Sequence, residues 1–291
     1  MATLGEWIGG SRPRTLPSAI APVAIGSGLA AAAGGFIPGR ALLALVVALA
    51  LQVGVNYAND YSDGIKGTDE VRVGPVRLVG QRLATPAQVR LAAFASFAVA
   101  MLAGLALVLI TQQWWLILVG AASVAAAWFY TGGSRPYGYL GLGEVFVFVF
   151  FGLVPVLGTV YVQLLAIDLA AVVAACAVGL LICTLLVVNN LRDIPTDITA
   201  GKRTLAVLLG DARTRALYVS FVAAALLLTA WLAALTTWWV LIAIASFGLA
   251  VAPVRLVVGG ARGPQLVVAL KQSGMLVLVY GLLTGALLAW S

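Results

Sequence analysis

Residues 41–64 read ALLALVVALALQVGVNYANDYSDG. A run rich in Ala, Leu and Val ends directly in Asn56, Asp60 and Asp63. Its apolar residues do not alternate with polar ones, so it reads as a helix entering a bilayer rather than a barrel strand. Carboxylates at the end of such a span are costly unless they are paired or bound to a cation. A second segment, Asn189-Asn190-Leu191-Arg192-Asp193-Ile194-Pro195-Thr196-Asp197, closes another apolar run in the same way. In each copy an Asn precedes an Asp by four residues, so both side chains share one helical face. Asn56 to Asn189 and Asp60 to Asp193 are both offset by 133 residues, consistent with one domain over 1–291 and a pseudo-repeat of helices 1–4 and 5–8. If Asp60, Asp63, Asp193 and Asp197 face one another, they form an oxygen-donor site for a hard divalent cation, most simply Mg²⁺.

The rest of the chain confirms the membrane class. Of 291 residues, 63% are hydrophobic and only 9% charged, against about a quarter in a soluble domain. Nine apolar stretches stand out, at 16–34, 41–58, 91–110, 114–130, 145–162, 169–188, 216–235, 238–257 and 273–290. The expectation is an all-α polytopic membrane protein with nine transmembrane helices. The net charge of +7 does not point to nucleic acid, because its placement follows topology. Lys66, Arg72, Arg77, Arg82 and Arg90 lie between spans two and three, and Arg192, Lys202, Arg203, Arg213 and Arg215 between six and seven. Only Arg40 falls on the opposite side, where Trp114-Trp115, Trp238-Trp239 and Trp290 form an interfacial belt. The positive-inside rule therefore puts the N-terminus and both acidic clusters in the cytoplasm and the C-terminus outside, in a plasma-membrane protein.

Histidine is absent, which removes His bases, His-led triads and His metal sites. Cys176 and Cys183 stand two helical turns apart, too far for a disulfide, and read as packing residues. Arg14, just before span one, is placed to meet an anion or to anchor the segment. The loop from Gly64 to Pro86 is long for this chain, and Gly74-Pro75-Val76-Arg77-Leu78 within it is a turn presenting Arg77. Tyr130 to Tyr139 is a second turn, with Arg135 among Tyr130, Tyr137 and Tyr139. Glu144 opens span five, where it complements a helix N-terminus or else takes part in catalysis. Phe146, Phe148, Phe150 and Phe151 follow, facing lipid and core or else walling a pocket for an apolar chain. Pro195 is expected to kink or end the sixth helix, and Lys202 comes next, within reach of whatever the aspartates hold.

Three activities share such a site. In prenyl transfer, Mg²⁺ and cations stabilise a leaving diphosphate. A CDP-alcohol phosphotransferase needs Asp-x-x-Asp-Gly-x-x-Ala-Arg, and Asp60 to Gly64 begins that pattern, but Gly67-Thr68 replaces Ala-Arg. An ion-coupled transporter would carry acids at mid-membrane, whereas here they lie at span ends.

Taken together, Arg12 to Pro22, Asn56 to Asp69, Gly74 to Leu78, Tyr130 to Gly158 and Asn189 to Leu205 resemble the UbiA superfamily of intramembrane prenyltransferases. Within it they are most similar to the members that act on 1,4-dihydroxy-2-naphthoate in menaquinone biosynthesis. The resemblance implies helices around a central cavity, with Mg²⁺ on Asp60, Asp63, Asp193 and Asp197. It also implies a polyprenyl diphosphate donor, a naphthoate acceptor and loss of CO₂. Lys202 is then a catalytic cation, and Asn56, Arg77, Arg135, Tyr130, Tyr137, Asn189 and Arg14 bind substrate. Two positions depart from the family pattern: Gly67 where a further Asp is common, and Gln81-Arg82 where a Ser-Gly pair is expected.

Overall fold

The computed structural model describes residues 2–66, 76–134 and 136–291, and every regular element among them is helical. An interfacial helix α1 (Leu4–Gly10) leads through a bend of 52° into α2 (Pro17–Ala32). Then come α3 (Pro38–Ile65), α4 (Pro86–Thr111), α5 (Leu116–Phe129), α6 (Gly143–Leu164), α7 (Leu169–Thr199), α8 (Leu205–Leu235), α9 (Trp238–Val258) and α10 (Pro264–Ala289). Proline opens α2, α3, α4 and α10, where its missing N–H costs nothing. Thr85 and Gln88 close a capping box on α4, and Asp168 accepts from the Ala171 N–H to cap α7.

Seven of these helices are long and apolar enough to cross a membrane, and an eighth qualifies if α1 and α2 are taken as one broken span. The expected count of nine is not reached. Helix α5 has 14 residues, about 21 Å of rise, which is short of a ~30 Å hydrocarbon core. Its ends nevertheless touch opposite ends of the bundle. Trp115, just before it, packs edge-on against Tyr161 near the end of α6. Thr131, just after it, donates to Asn59 Oδ1 at 2.8 Å.

Helix α7 is the axis: 78% of its most apolar window is buried, against 28–44% in the other long helices. At 31 residues it rises about 46 Å, and α3 at 28 residues about 42 Å. Both overshoot the hydrocarbon, so the turns carrying Asn56–Asp63 and Asn189–Asp197 lie near its edge. Pro195 does not end α7, which runs on to Thr199. Gly281 and Gly285 of α10 meet Ala21, Ala24 and Gly28 of α2 so closely that no larger residue fits. This is the close small-residue packing that joins helices in lipid, where apolar burial gives no net drive. Helix α8 breaks at Gly210, whose φ of 76° leaves the helical region. Just beyond, buried Arg215 donates to Asp211 and to the carbonyls of Val257 and Ala261, clamping α8 to the end of α9 and the loop that follows it. Its role is thus more than a topology signal. Both cysteines are free, and Cys183 is buried in the core of α7.

Candidate active site

A cavity of about 1140 Å³ joins the two acidic segments to the interior. Its polar end is lined by Asn56, Asn59, Asp63, Arg77, Asn189, Asn190, Arg192, Asp197 and Lys202. Its body is apolar and runs between α3, α4, α5 and α6 to Leu116 and Val162. Phe146, Phe150 and Phe151 lie on this wall, as the pocket reading of that span anticipates, but Phe148 does not: it packs towards Gly179 of α7. A π-helical stretch over Phe148–Leu153 interrupts α6 beside the cavity, the kind of irregularity often found at functional sites.

The four aspartates take two different places. Asp63 and Asp197 line the cavity, whereas Asp60 and Asp193 do not. Asp60 Oδ2 and Oδ1 accept from the backbone N–H groups of Leu78 and Val79 at 2.7 and 3.2 Å. Asp60 therefore anchors the loop that follows α3. Asp193 is held bidentately by its neighbour Arg192, at 2.7 and 2.9 Å, and the same guanidinium donates to Asn189 Oδ1 at 2.7 Å. Asp63 gathers groups from three parts of the chain. Lys202 Nζ stands 3.3 Å away, Arg77 Nη1 3.9 Å away, and the Tyr139 hydroxyl donates to it at 2.6 Å. Lys202 also lies over the Tyr139 ring, 4.5 Å from its centre. The Lys202 ammonium thus bridges the half that carries Asp197 and the half that carries Asp63.

Other expected residues fall as follows. Asn56 donates to Ser11 O at 2.8 Å and to Thr15 Oγ1 at 2.9 Å, so it ties down the segment before α2. Arg14, in that segment, is exposed and reaches the cavity wall. Tyr130 and Tyr137 both line the cavity and pack edge to face. The Tyr137 hydroxyl donates to Ala126 O at 2.6 Å, and burial pushes its pKa up, so it stays a neutral phenol. Its ring stacks on Phe146, which stacks on Phe150, giving an aromatic face along one side. Arg135 lies outside the described residues. Tyr139, Asn59, Asn190 and Arg192 also belong to the site, although the sequence reading gave none of them a substrate or metal role; each lies within two residues of one to which it did. Lys66 donates to Thr131 O at 2.7 Å. Burial lowers the Lys66 pKa, which Asp63 opposes and Lys202 reinforces.

Among the described residues no three acidic, His or Cys side chains converge as a ready metal cage. The polar end instead offers two carboxylates and several amides, an all-oxygen donor set that suits Mg²⁺ and not a thiolate- or imidazole-seeking metal.

The chain belongs to the UbiA prenyltransferase family, whose model matches residues 19–269. It is 54% identical to the 1,4-dihydroxy-2-naphthoate octaprenyltransferase of Mycobacterium tuberculosis, over 100% of this chain and 99% of that one. The enzyme of the same description from Escherichia coli is 41% identical over 72% of this chain and 70% of its own. The fold matches a UbiA homolog from Archaeoglobus fulgidus bound to DMAPP and Mg²⁺, with TM-score 0.65 at 15% identity, covering 97% of this chain and 99% of that one. It also matches the apo structure of a UbiA homolog from Aeropyrum pernix K1, with TM-score 0.68 at 19% identity over 94% and 96%.

Proposed function

We propose that this membrane protein transfers a polyprenyl group from polyprenyl diphosphate to 1,4-dihydroxy-2-naphthoate, releasing diphosphate and CO₂ and forming demethylmenaquinol, the reduced form of demethylmenaquinone, for menaquinone biosynthesis. The observation that carries the reading is a single cavity joining a mouth of carboxylates and cations to an apolar, aromatic-walled body. Full-length identity to naphthoate prenyltransferases supplies the acceptor. A CDP-alcohol phosphotransferase would draw its acids from one motif, whereas here Lys202, beyond the second motif, reaches Asp63 of the first.

The residues divide the work. As the allylic C–O bond breaks, its electron pair goes to the diphosphate. The Lys202 ammonium and Arg77 guanidinium counter that growing charge. Asp63, itself held by the Tyr139 hydroxyl, and the Tyr139 ring hold Lys202 at the polar end of the cavity. The π faces of Tyr137, Phe146 and Phe150 stabilise the allylic cation and keep water from it. The electron-rich ring attacks through the carbon bearing the carboxylate. A C–C bond forms there, the bond to CO₂ breaks, and its electron pair restores the aromatic ring. The carboxylate is already deprotonated, so the step suits a site without histidine. Asp63 and Asp197 at the wall, with Asp60 and Asp193 behind them, would hold Mg²⁺, which supplies further neutralisation of the diphosphate. The active site and N-terminus face the cytoplasm and the C-terminus the outside.

Membranes carrying the protein, Mg²⁺, a polyprenyl diphosphate and a panel of aromatic acids provide the test. Prenylated naphthoquinol and carboxyl-derived CO₂ are expected, lost with EDTA and restored by Mg²⁺. Failure to prenylate any aromatic acid, with release of CMP from a CDP-alcohol, would overturn the assignment.

A further inference from the structure

Glu144 is a buried carboxylate at the start of α6 that the transfer mechanism does not use; it is 5% exposed. Its Oε1 accepts from Asn190 Nδ2 of α7 at 3.0 Å, while its Oε2 is buried with no hydrogen-bond partner among the described residues. Leaving one oxygen of a buried carboxyl group unpaired is costly, so such a group calls for a reason. Asn190 supplies one. It lines the cavity, and no described residue donates to its Oδ1. The adjacent amide, Asn189, has its oxygen occupied by Arg192. Because Asn190 spends its Nδ2 on Glu144 Oε1, the Oδ1 end of the amide is turned away from Glu144. The wall at this point also carries Tyr130 and Phe146, an aromatic setting suited to a flat ring.

We infer that Glu144 is a positioning residue that locks the Asn190 amide with its carbonyl oxygen towards the cavity, where it accepts a hydrogen bond from a hydroxyl of the aromatic acceptor. The inference rests on the acceptor being a dihydroxynaphthoate, as proposed above. A site built to accept an O–H discriminates strongly against an analogue that lacks it, because a buried polar group is then left unpaired.

The test compares 1,4-dihydroxy-2-naphthoate with its two monodeoxy analogues, 1-hydroxy-2-naphthoate and 4-hydroxy-2-naphthoate, in the wild type, Asn190→Ala, Glu144→Gln and Glu144→Asp. The wild type should prefer the dihydroxy acceptor over one analogue by at least tenfold in kcat/KM. Asn190→Ala should reduce that preference to about two- to threefold, through KM for the acceptor. Glutamine keeps the shape of Glu144 but donates as well as accepts, so Glu144→Gln frees the amide to flip and should also lose most of the preference. Aspartate only accepts, so Glu144→Asp should retain more of it than Glu144→Gln, the reverse of the order packing alone would give. Undiminished preference in Asn190→Ala, or Glu144→Gln behaving as wild type, overturns the inference. If Glu144→Gln fails to accumulate, Asn190→Ala decides alone. A wild type that prenylates no naphthoate refutes the functional reading instead, and so the two failures remain distinct.

Discussion

Two aspartates three residues apart on one helix, Asp60 and Asp63, perform different tasks because their surroundings differ. Asp63 faces the cavity with Lys202, Arg77 and Tyr139 around it, whereas both oxygens of Asp60 are taken by backbone N–H groups of the following loop. Substituting either should abolish prenyl transfer, so activity cannot tell them apart. Loop order can. An Asn at position 60 has one acceptor oxygen for two N–H donors, leaving one buried amide unsatisfied at about 2 kcal/mol. In the absence of metal, Asp60→Asn should therefore make the 76–84 segment cleavable by protease at least tenfold faster, while Asp63→Asn leaves it near wild type. Equal protection in both variants would show that the carboxylate of Asp60 does not hold the loop. The same loop explains one departure from the family pattern. Arg82 sits at φ 58°, a conformation that glycine adopts freely and a residue with a Cβ reaches only at a cost. The fold keeps that left-handed turn even with an arginine in it, since Leu83 and Ala84 N–H groups both return to Leu78 O.

At the level of elements, helix contacts in this bundle depend on backbone approach more than on bulky apolar side chains. Gly281 and Gly285 bring α10 onto α2, and Gly152 of α6 meets Gly179 of α7. A side chain at 285 would strike the backbone of Ala24, which cannot yield as a flexible side chain can. Gly285→Leu should lower stability by about 2–3 kcal/mol, in the range of overpacked cores, and should appear as a lower unfolding temperature in detergent. Gly248→Ala, where nothing stands within 4 Å, should leave that temperature unchanged or slightly raised. A similar drop for both would indicate that helix propensity, not interhelical approach, governs the bundle. Pro195 belongs to this scale too. It removes one N–H from α7, yet the helix continues because the loss falls in the last turns, where Thr196 and Thr199 hydroxyls donate to nearby carbonyls.

For the whole molecule, the bend at α1–α2 and the shortness of α5 make the number of crossings a physical question that labelling can answer. Gln81 and Ser291 are both exposed, at opposite ends of the expected topology. Cysteines introduced at these two positions, with Cys176 and Cys183 replaced by alanine, should react with impermeant reagent from opposite faces of the membrane. Reaction from one face would mean that an odd number of the expected crossings is missing. The ends of α5, at Tyr161 on one side and Asn59 on the other, place it across the bundle despite its length, and support opposite-face labelling.

What the residues determined alone was class, helical build and the location of the chemistry. Hydropathy over 291 residues and the two Asn–Asp repeats are local properties, written in composition and in spacing along one helix face. What only tertiary structure decided was partnership. Nothing local to Asp60 says that its oxygens will be spent on Leu78 and Val79, nor does anything local to Tyr139 say that its hydroxyl will find Asp63. The Glu144–Asn190 bond joins two helices 46 positions apart. Those pairings depend on how long helices are rotated and offset against one another, and that is set by close glycine contacts and buried polar satisfaction summed over the bundle. A one-dimensional motif reports which groups are available; the packing of α3, α6 and α7 decides which of them remain open to a substrate.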